Sequence, residues 1–303
     1  MKVLKGRTAV ITGAASGLGL ETARLAAERG MNVVMADVQG DALEAAAAGV
    51  RALGAAVLSV RTDVRRSSDL ETLAAATLGR FGTPNLVFNN AGVISGGLVW
   101  ESRAEDWEWV LGVNLMGVVH GVRVFTPLML RAARSDASFE GHIVNTASMA
   151  GLVNPPNMGV YNVSKHAVVS LSETLYQDLA LMTGQISASV LCPFFVPTAI
   201  HRSEHNRPDD VRAQDATPTP SALIAEAMLD KAVANAKVSA ARVAELVLDA
   251  VRDRRFYVYS HPNALGSVRT RLEDVVSGRN PSDPFADRPH LGAELRAALN
   301  SDR

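Results

Sequence analysis

The sequence predicts an α/β protein: one doubly wound, seven-stranded parallel sheet with helices on both faces. Three observations point there. Short apolar runs alternate with longer helical patterns along most of the 303 residues, the signature of repeated βαβ units. Most runs are apolar throughout rather than alternating, as strands buried on both faces are. The first run also delivers the chain into a glycine-rich turn that opens a helix.

The elements follow in order. "TAVIT" at 8–12 reads as the first strand, and the Ala-rich stretch 17–29 as its helix. Strands are expected at 32–37, 56–63, 85–90, 142–148, 187–193 and 256–260. Helices are expected between them at 41–53, 67–81, 105–134 and 160–182. The polar, Pro-rich stretch 198–237 interrupts this rhythm and reads as an irregular segment that covers a site. Residues 1–260 are therefore expected to form one domain, with 261–303 as a C-terminal extension ending in a short helix.

Composition narrows the function classes. Hydrophobic residues make up 48% and charged residues 20%, ordinary values for a globular chain with a sizeable core. The net charge of −1 gives no reason to expect nucleic acid or an anionic membrane as a partner. Cys192 is the only cysteine, so no intrachain disulfide can form, and a reducing, cytoplasmic location is expected. The N-terminus enters a strand almost at once and lacks the features of a secretory signal. No run of 18 apolar residues occurs, so no membrane span is expected.

The turn "TGAASGLG" places Gly13, Gly17 and Gly19 where strand passes to helix. Glycine there permits positive φ and close approach of a ligand to the backbone. The helix that follows offers free N–H groups and the positive end of its dipole to a pyrophosphate. A second strand then ends in Asp37, whose carboxylate can accept hydrogen bonds from ribose hydroxyls and would repel a 2′-phosphate. Val38 follows it, and Ala14, Ala15 and Ser16 fill the turn, so neither place holds Arg or Lys. NAD is accordingly favoured over NADP. Asp37 is also placed to cap the next helix.

With these pieces in hand, residues 4–260 resemble the short-chain dehydrogenase/reductase family, of the type with a core of some 250 residues. The motifs occur in order. "TGAASGLG" matches the cofactor turn, including Ser16 and Leu18. Asp63 and Val64 match its adenine contact. "NNAG" brings Asn90, Ala91 and Gly92 to the end of strand four. Asn114 matches the helix-four asparagine, Ser148 the active-site serine, and Tyr161 with Lys165 the Tyr-x-x-x-Lys pair. The resemblance implies a Rossmann-type fold and hydride transfer between nicotinamide and an alcohol or ketone. It also implies roles. Tyr161 would exchange a proton with the substrate oxygen. Lys165 would tune the tyrosine and hold the nicotinamide ribose, Ser148 would bind the substrate oxygen, and Asn114 would hold a relay water.

The spacing supports that pairing. Residues four apart on a helix share a face, so Tyr161 and Lys165 can reach one point. A free phenol titrates near 10, too high for acid–base work near neutrality, and a nearby ammonium favours the phenolate. One motif departs from the family. Its Pro-Gly-x-Val-x-Thr reads "PFFVPT" here, keeping Pro193, Val196 and Thr198 but placing Phe194 at the glycine. That substitution puts the turn geometry in question and offers an aromatic wall.

The substrate is less legible. "AIHRSEHNRPDD", "RFYVYSHPN" and the length near 300 are similar to the branch containing bacterial Cα-dehydrogenases of lignin-derived aryl ethers. That similarity implies a bulky apolar, even aromatic, secondary alcohol or its ketone. Ser95, Met149, Asn154, Met158 and Phe195 stand where they could line a pocket. His201, His205 and Asp209 read as a solvated loop rather than a metal site, and no metal is expected. The rival reading from another class is a non-catalytic NAD(H)-binding redox sensor or scaffold, since fold alone never settles function. Retention of Ser148, Tyr161 and Lys165 together with Asn114 favours the enzyme. An extended-branch epimerase or dehydratase is disfavoured by the G-x-x-x-G-x-G turn. Family resemblance implies a homodimer or homotetramer through the helices at 105–134 and 160–182.

Overall fold

The structure is a computed structural model and describes residues 1–212 and 217–300. Seven strands form a single all-parallel sheet: β1 (Thr8–Thr12), β2 (Asn32–Asp37), β3 (Val57–Arg61), β4 (Leu86–Asn89), β5 (Gly141–Thr146), β6 (Ile186–Cys192) and β7 (Tyr257–Tyr259). Their order across the sheet is β3-β2-β1-β4-β5-β6-β7. The chain leaves β1 in both directions, so a crevice opens at the carboxyl ends of β1 and β4.

The helices cover both faces. They are α1 (Gly17–Glu28), α2 (Gly40–Arg51), α3 (Ser67–Phe81), α4 (Ala104–Leu111), α5 (Gly117–Ser135), α6 (Gly159–Met182), α7 (Pro220–Ala234), α8 (Ala240–Asp253), α9 (Leu265–Val276) and α10 (Pro289–Asn300). Successive strand residues feed opposite cores, as period-two geometry requires. Ala9, Ile11, Val33 and Met35 pack with Val243, Val247 and Val251 of α8. Val10, Val34 and Val87 pack on the other face with Phe125, Met129 and Leu175.

Four expectations are modified. The strands β3 and β5 end earlier than expected, at Arg61 and Thr146, although the Thr62 and Ala147 N–H groups still bond the Asp37 and Leu191 carbonyls at 2.8 Å. The single helix expected at 105–134 is split by a wide π turn, Gly112–Met116, in which the Gly117 N–H bonds the Gly112 carbonyl. Glycines flank that turn because the helix passes close to the chain after β3. A Cβ on Gly117 would lie 2.7 Å from Val64 Cγ2. The stretch 198–237 is not irregular throughout. It holds two short 3₁₀ turns, Ala199–Asn206 and Asp209–Val211, and the whole of α7. The signal for α7 was present: Thr219 caps the Ala222 N–H and Pro220 opens the helix. Beyond residue 260 the described residues hold two α-helices, not one, after a 3₁₀ turn at Pro262–Ala264, and α10 packs against α7.

The span Ala104–Ser135 is long and apolar enough, by length and composition, to cross a membrane. Its apolar face is used here to cover the sheet, with Val118, Phe125 and Met129 buried.

His142 lies wholly buried in β5, and burial pushes its imidazole down to about 3. The Ser189 hydroxyl donates to the Arg255 carbonyl at 2.6 Å, so His142 Nε2, 2.7 Å away, must be its donor. Nδ1 is left bare and without a partner. The unfolded chain takes up a proton near pH 6.5 that the folded chain refuses. Stability from this group is therefore complete above pH 6.5 and falls as pH drops toward 3. Urea unfolding should lose about 1.4 kcal/mol per pH unit below that point. His142→Gln should be less stable at pH 7 but should flatten that slope, and an unchanged slope would exclude His142 as its source.

Candidate active site and dinucleotide cleft

The turn after β1 is held by close backbone contacts. Gly13 has φ of +64° and Gly17 of +54°. A Cβ on Gly19 would come within 2.1 Å of the Gly13 carbonyl oxygen, so only glycine fits. The Thr12 hydroxyl accepts from the N–H groups of Asn90 (2.9 Å) and Ala91 (3.1 Å). Asn90 Nδ2 donates to the Thr12 carbonyl at 3.0 Å. The loop after β4 is thus stapled to the turn. Ser16 makes no side-chain cap to α1, and the first turn has no acid. Those N–H groups and that dipole end suit an anionic diphosphate, so the turn fits a dinucleotide.

Asp37 faces the same turn. Its carboxylate accepts from the Ala15 N–H at 3.0 Å and the Gln39 N–H at 3.1 Å. It does not cap α2 itself, since Gln39 occupies that position. The sheet also brings in a residue that sequence reasoning missed. Asp37 is in register with Arg61 on β3, whose Nε donates to the Val38 carbonyl at 3.1 Å. A cation separated from Asp37 by 24 positions cannot be assigned to it without the register. Asp63 stands near, but its carboxylate is clasped by Arg65 at 2.8 Å, which holds it below the usual range against the opposing effect of burial. Val64 is buried against Gly117.

The residues expected to carry the chemistry are brought together from four elements. Ser148 caps the short Met149–Gly151 turn after β5. Its hydroxyl accepts from the Ala150 N–H at 3.1 Å and donates to the Pro193 carbonyl at 3.4 Å. Tyr161 and Lys165 share one face of α6, with the Lys165 Nζ 5.6 Å from the Tyr161 ring centre. Nζ donates to the Thr146 carbonyl at 3.0 Å. Gly92 of the β4 loop lies beside both groups: a Cβ there would stand 3.5 Å from Nζ and from Asn114 Oδ1, an ordinary contact distance. Asn114 sits in the π turn with its side chain fully engaged. Oδ1 accepts from the Val93 N–H at 2.8 Å, while Nδ2 donates to the Val93 carbonyl at 2.9 Å and to Ser164 Oγ at 3.0 Å. Ser164, also missed from sequence, passes the chain on to the Tyr161 carbonyl at 2.8 Å.

Electrostatics differ from the sequence expectation. Burial pushes Tyr161 up to about 12, only partly opposed by the Ser148 hydroxyl. Burial also lowers Lys165 to about 8. The ammonium at 5.6 Å does not overcome desolvation of the phenolate.

The remaining residues expected on the cofactor side gather after β6. Val196 is buried, and the Thr198 methyl lies 3.3 Å from where a Gly17 Cβ would stand. Phe194 replaces the family glycine without a positive φ. Its N–H bonds Ser260 Oγ at 2.9 Å, and its ring packs on Phe195 and His261. Above them Ser221, at the start of α7, accepts from the Leu98 N–H at 3.0 Å and donates to Glu101 at 2.6 Å. Its carbonyl accepts from Asn157 at 2.9 Å. Among the described residues no His, Cys, Asp or Glu cluster suits a metal.

Residues 7–209 match the family described as short chain dehydrogenase. The CLA biosynthesis dehydrogenase/reductase of Lactiplantibacillus plantarum is 33% identical, over 95% of this chain and 99% of that protein. The C alpha-dehydrogenase of Sphingobium sp. is 27% identical, over 97% of this chain and 93% of its own. A short chain dehydrogenase/reductase from Burkholderia phymatum, solved in complex with NAD, is 51% identical, with a TM-score of 0.90 over 94% of this chain and all of that one.

The burial of Tyr161 is directly measurable. In ultraviolet difference titration of cofactor-free protein, wild type minus Tyr161→Phe should show no phenolate below pH 10. A phenolate signal near neutrality would contradict the upward shift.

Proposed function

Because this chain belongs to the short-chain dehydrogenase family, we propose that it is an NAD-dependent oxidoreductase acting on a bulky apolar secondary alcohol or its ketone. The observation that carries the reading is the convergence of Ser148, Tyr161 and Lys165 beside a glycine turn that fits a dinucleotide. When bound, the nicotinamide supplies the hydride acceptor or donor. The protein's own part is positional and protic. Tyr161 exchanges a proton with the substrate oxygen, and Ser148 holds that oxygen. Lys165 stabilises the phenolate as it forms and binds the nicotinamide ribose. With its side chain bonded to Val93 and Ser164, Asn114 holds through its place in the π turn, not its amide, a water that connects Lys165 to solvent.

Burial favours the neutral phenol in the resting site, so proton removal from Tyr161 needs the added positive charge of an oxidised nicotinamide. Asp37 supports NAD, since its carboxylate would repel a 2′-phosphate. The turn itself is supported by similarity to a structure solved with NAD. Met149 follows Ser148 directly, and Met158 precedes Tyr161 by one turn. These apolar neighbours support an apolar substrate, as does similarity to a C alpha-dehydrogenase. Homo-oligomerisation through α5 and α6 is part of the proposal, because Val163, Leu181 and Met182 leave apolar surface exposed on α6. Residues 1–260 are proposed as the catalytic domain, with 198–237 as its lid and 261–303 as an extension.

The test is NADH formation from NAD, beside NADPH formation from NADP, over aliphatic, cyclic, steroid and 1-arylalkanol substrates. Turnover should favour NAD and arylalkanols. Tyr161→Phe should lower kcat by about a thousandfold while NADH still binds. Asp37→Ala should erode the preference for NAD by letting Arg61 meet a 2′-phosphate. NADH binding without turnover on any substrate would favour the sensor reading, and preference for NADP in the unaltered protein would refute the role given to Asp37.

A further inference from the structure

We propose that residues 198–211 form a strap across the dinucleotide cleft, that Arg207 holds it closed, and that its opening sets the rate at which the dinucleotide leaves. The inference rests on the cofactor reading above.

The strap meets the chain beyond four neighbouring strands. At its start Thr198 lies beside Gly17, after β1, where a Cβ on the glycine would stand 3.3 Å from its side chain. The Ser203 hydroxyl, buried, accepts from the Ile94 N–H at 3.0 Å and donates to the Ile94 carbonyl at 3.3 Å, after β4. Asn206 accepts from Gln39, after β2. Asp210 accepts from both terminal nitrogens of Arg65 at 3.3 Å, after β3. In the sheet these strands stand in the order β3-β2-β1-β4. The strap is therefore a roof over the edge where the glycine turn and Asp37 lie. A dinucleotide running between them passes beneath it.

The anchors are unequal. Gln39–Asn206 and Arg65–Asp210 are exposed contacts, and exposed polar pairs hold weakly against water. Arg207 is different, being only 5% exposed. Its Nη2 donates to Asp106 at 2.7 Å, and Glu204 lies 2.8 Å from its Nε. Its guanidinium carbon sits 4.3 Å from the centre of the Trp109 ring. A planar cation paired on its edge and stacked on its face is a use that lysine reproduces poorly. Breaking it leaves desolvated charge behind, so this contact dominates closure.

Two further features fit an opening strap. The backbone at Arg202 leaves helical geometry (φ −105°, ψ 18°), dividing the first part into two short turns. Beyond Arg207, Val211 inserts among Val93, Trp109, Val110 and Val160. Val93 is the residue bonded by Asn114, and Val160 adjoins Tyr161. Closing the strap thus completes the packing behind the reacting groups, and Arg207 acts as a positioning residue.

The experiment is stopped-flow displacement of NADH by excess NAD, followed by NADH fluorescence, with the association rate measured in parallel. Arg207→Gln should speed NADH dissociation about tenfold and leave association within about twofold. Arg207→Lys should fall between the two, since it keeps the ion pair and loses the flat stack. Equal dissociation rates in folded Arg207→Gln and wild type would overturn the inference. Should Arg207→Gln fail to fold, Arg207→Lys carries the test: it should release NADH faster than wild type, and an unchanged rate there would overturn the inference. A wild-type protein that binds no NADH would overturn the cofactor reading and this inference together. Tight binding with unchanged release in the variants would overturn this inference alone.

Discussion

The closeness of two backbones at the carboxyl edge of the sheet governs the rest of this site. A Cβ on Gly13 would lie 2.9 Å from the Ala91 Cα, and Asn90 reaches back to the Thr12 carbonyl. This contact joins β1 to β4, where the order of strands reverses and a crevice opens. Because the two loops touch, the start of α1 is fixed with its N–H groups uncapped. Gly92, two residues further on, then brings the loop to Lys165 and Asn114. Any side chain at Gly13 would separate the turn from the groups that complete the site.

Burial sets the chemistry that this geometry allows. It raises Tyr161 and lowers Lys165, so it opposes the charged form of both. A phenol and an amine with such shifts form a poised pair whose proton distribution responds to any charge brought close. The Asn114 side chain is spent entirely on the Val93 backbone and Ser164. That expenditure fixes the π turn against the β4 loop. It also means that any water-holding role belongs to this residue's place in the turn rather than to a free amide.

The segment after Thr198 is tied to the loops around the candidate site by buried serines. Ser203 satisfies both polar backbone groups of Ile94, and Ser221 links Leu98, Glu101 and Asn157. Hydroxyls suit this work because one atom both donates and accepts in a confined space. With α10 packed against α7, the C-terminal extension backs the same cover.

How much of this was legible in sequence follows from the range of each interaction. The seven strands, the glycine turn and the Tyr161–Lys165 face were readable, because period-two burial, positive φ and helical spacing are set within a few residues. Even α7 carried a local signal in Thr219–Pro220, masked by the polar residues before it. The π turn at Asn114, the register that sets Arg61 beside Asp37 and the Arg207–Trp109 stack were not readable. The net direction of the Tyr161 shift was not readable for the same reason: four-residue spacing reveals a nearby ammonium but not the depth of burial that outweighs it. The sequence by itself determined which chemistry-bearing residues exist and which local conformations they adopt. Only the tertiary structure decided their surroundings, because register, desolvation and long-range contacts depend on segments that meet after the chain has folded.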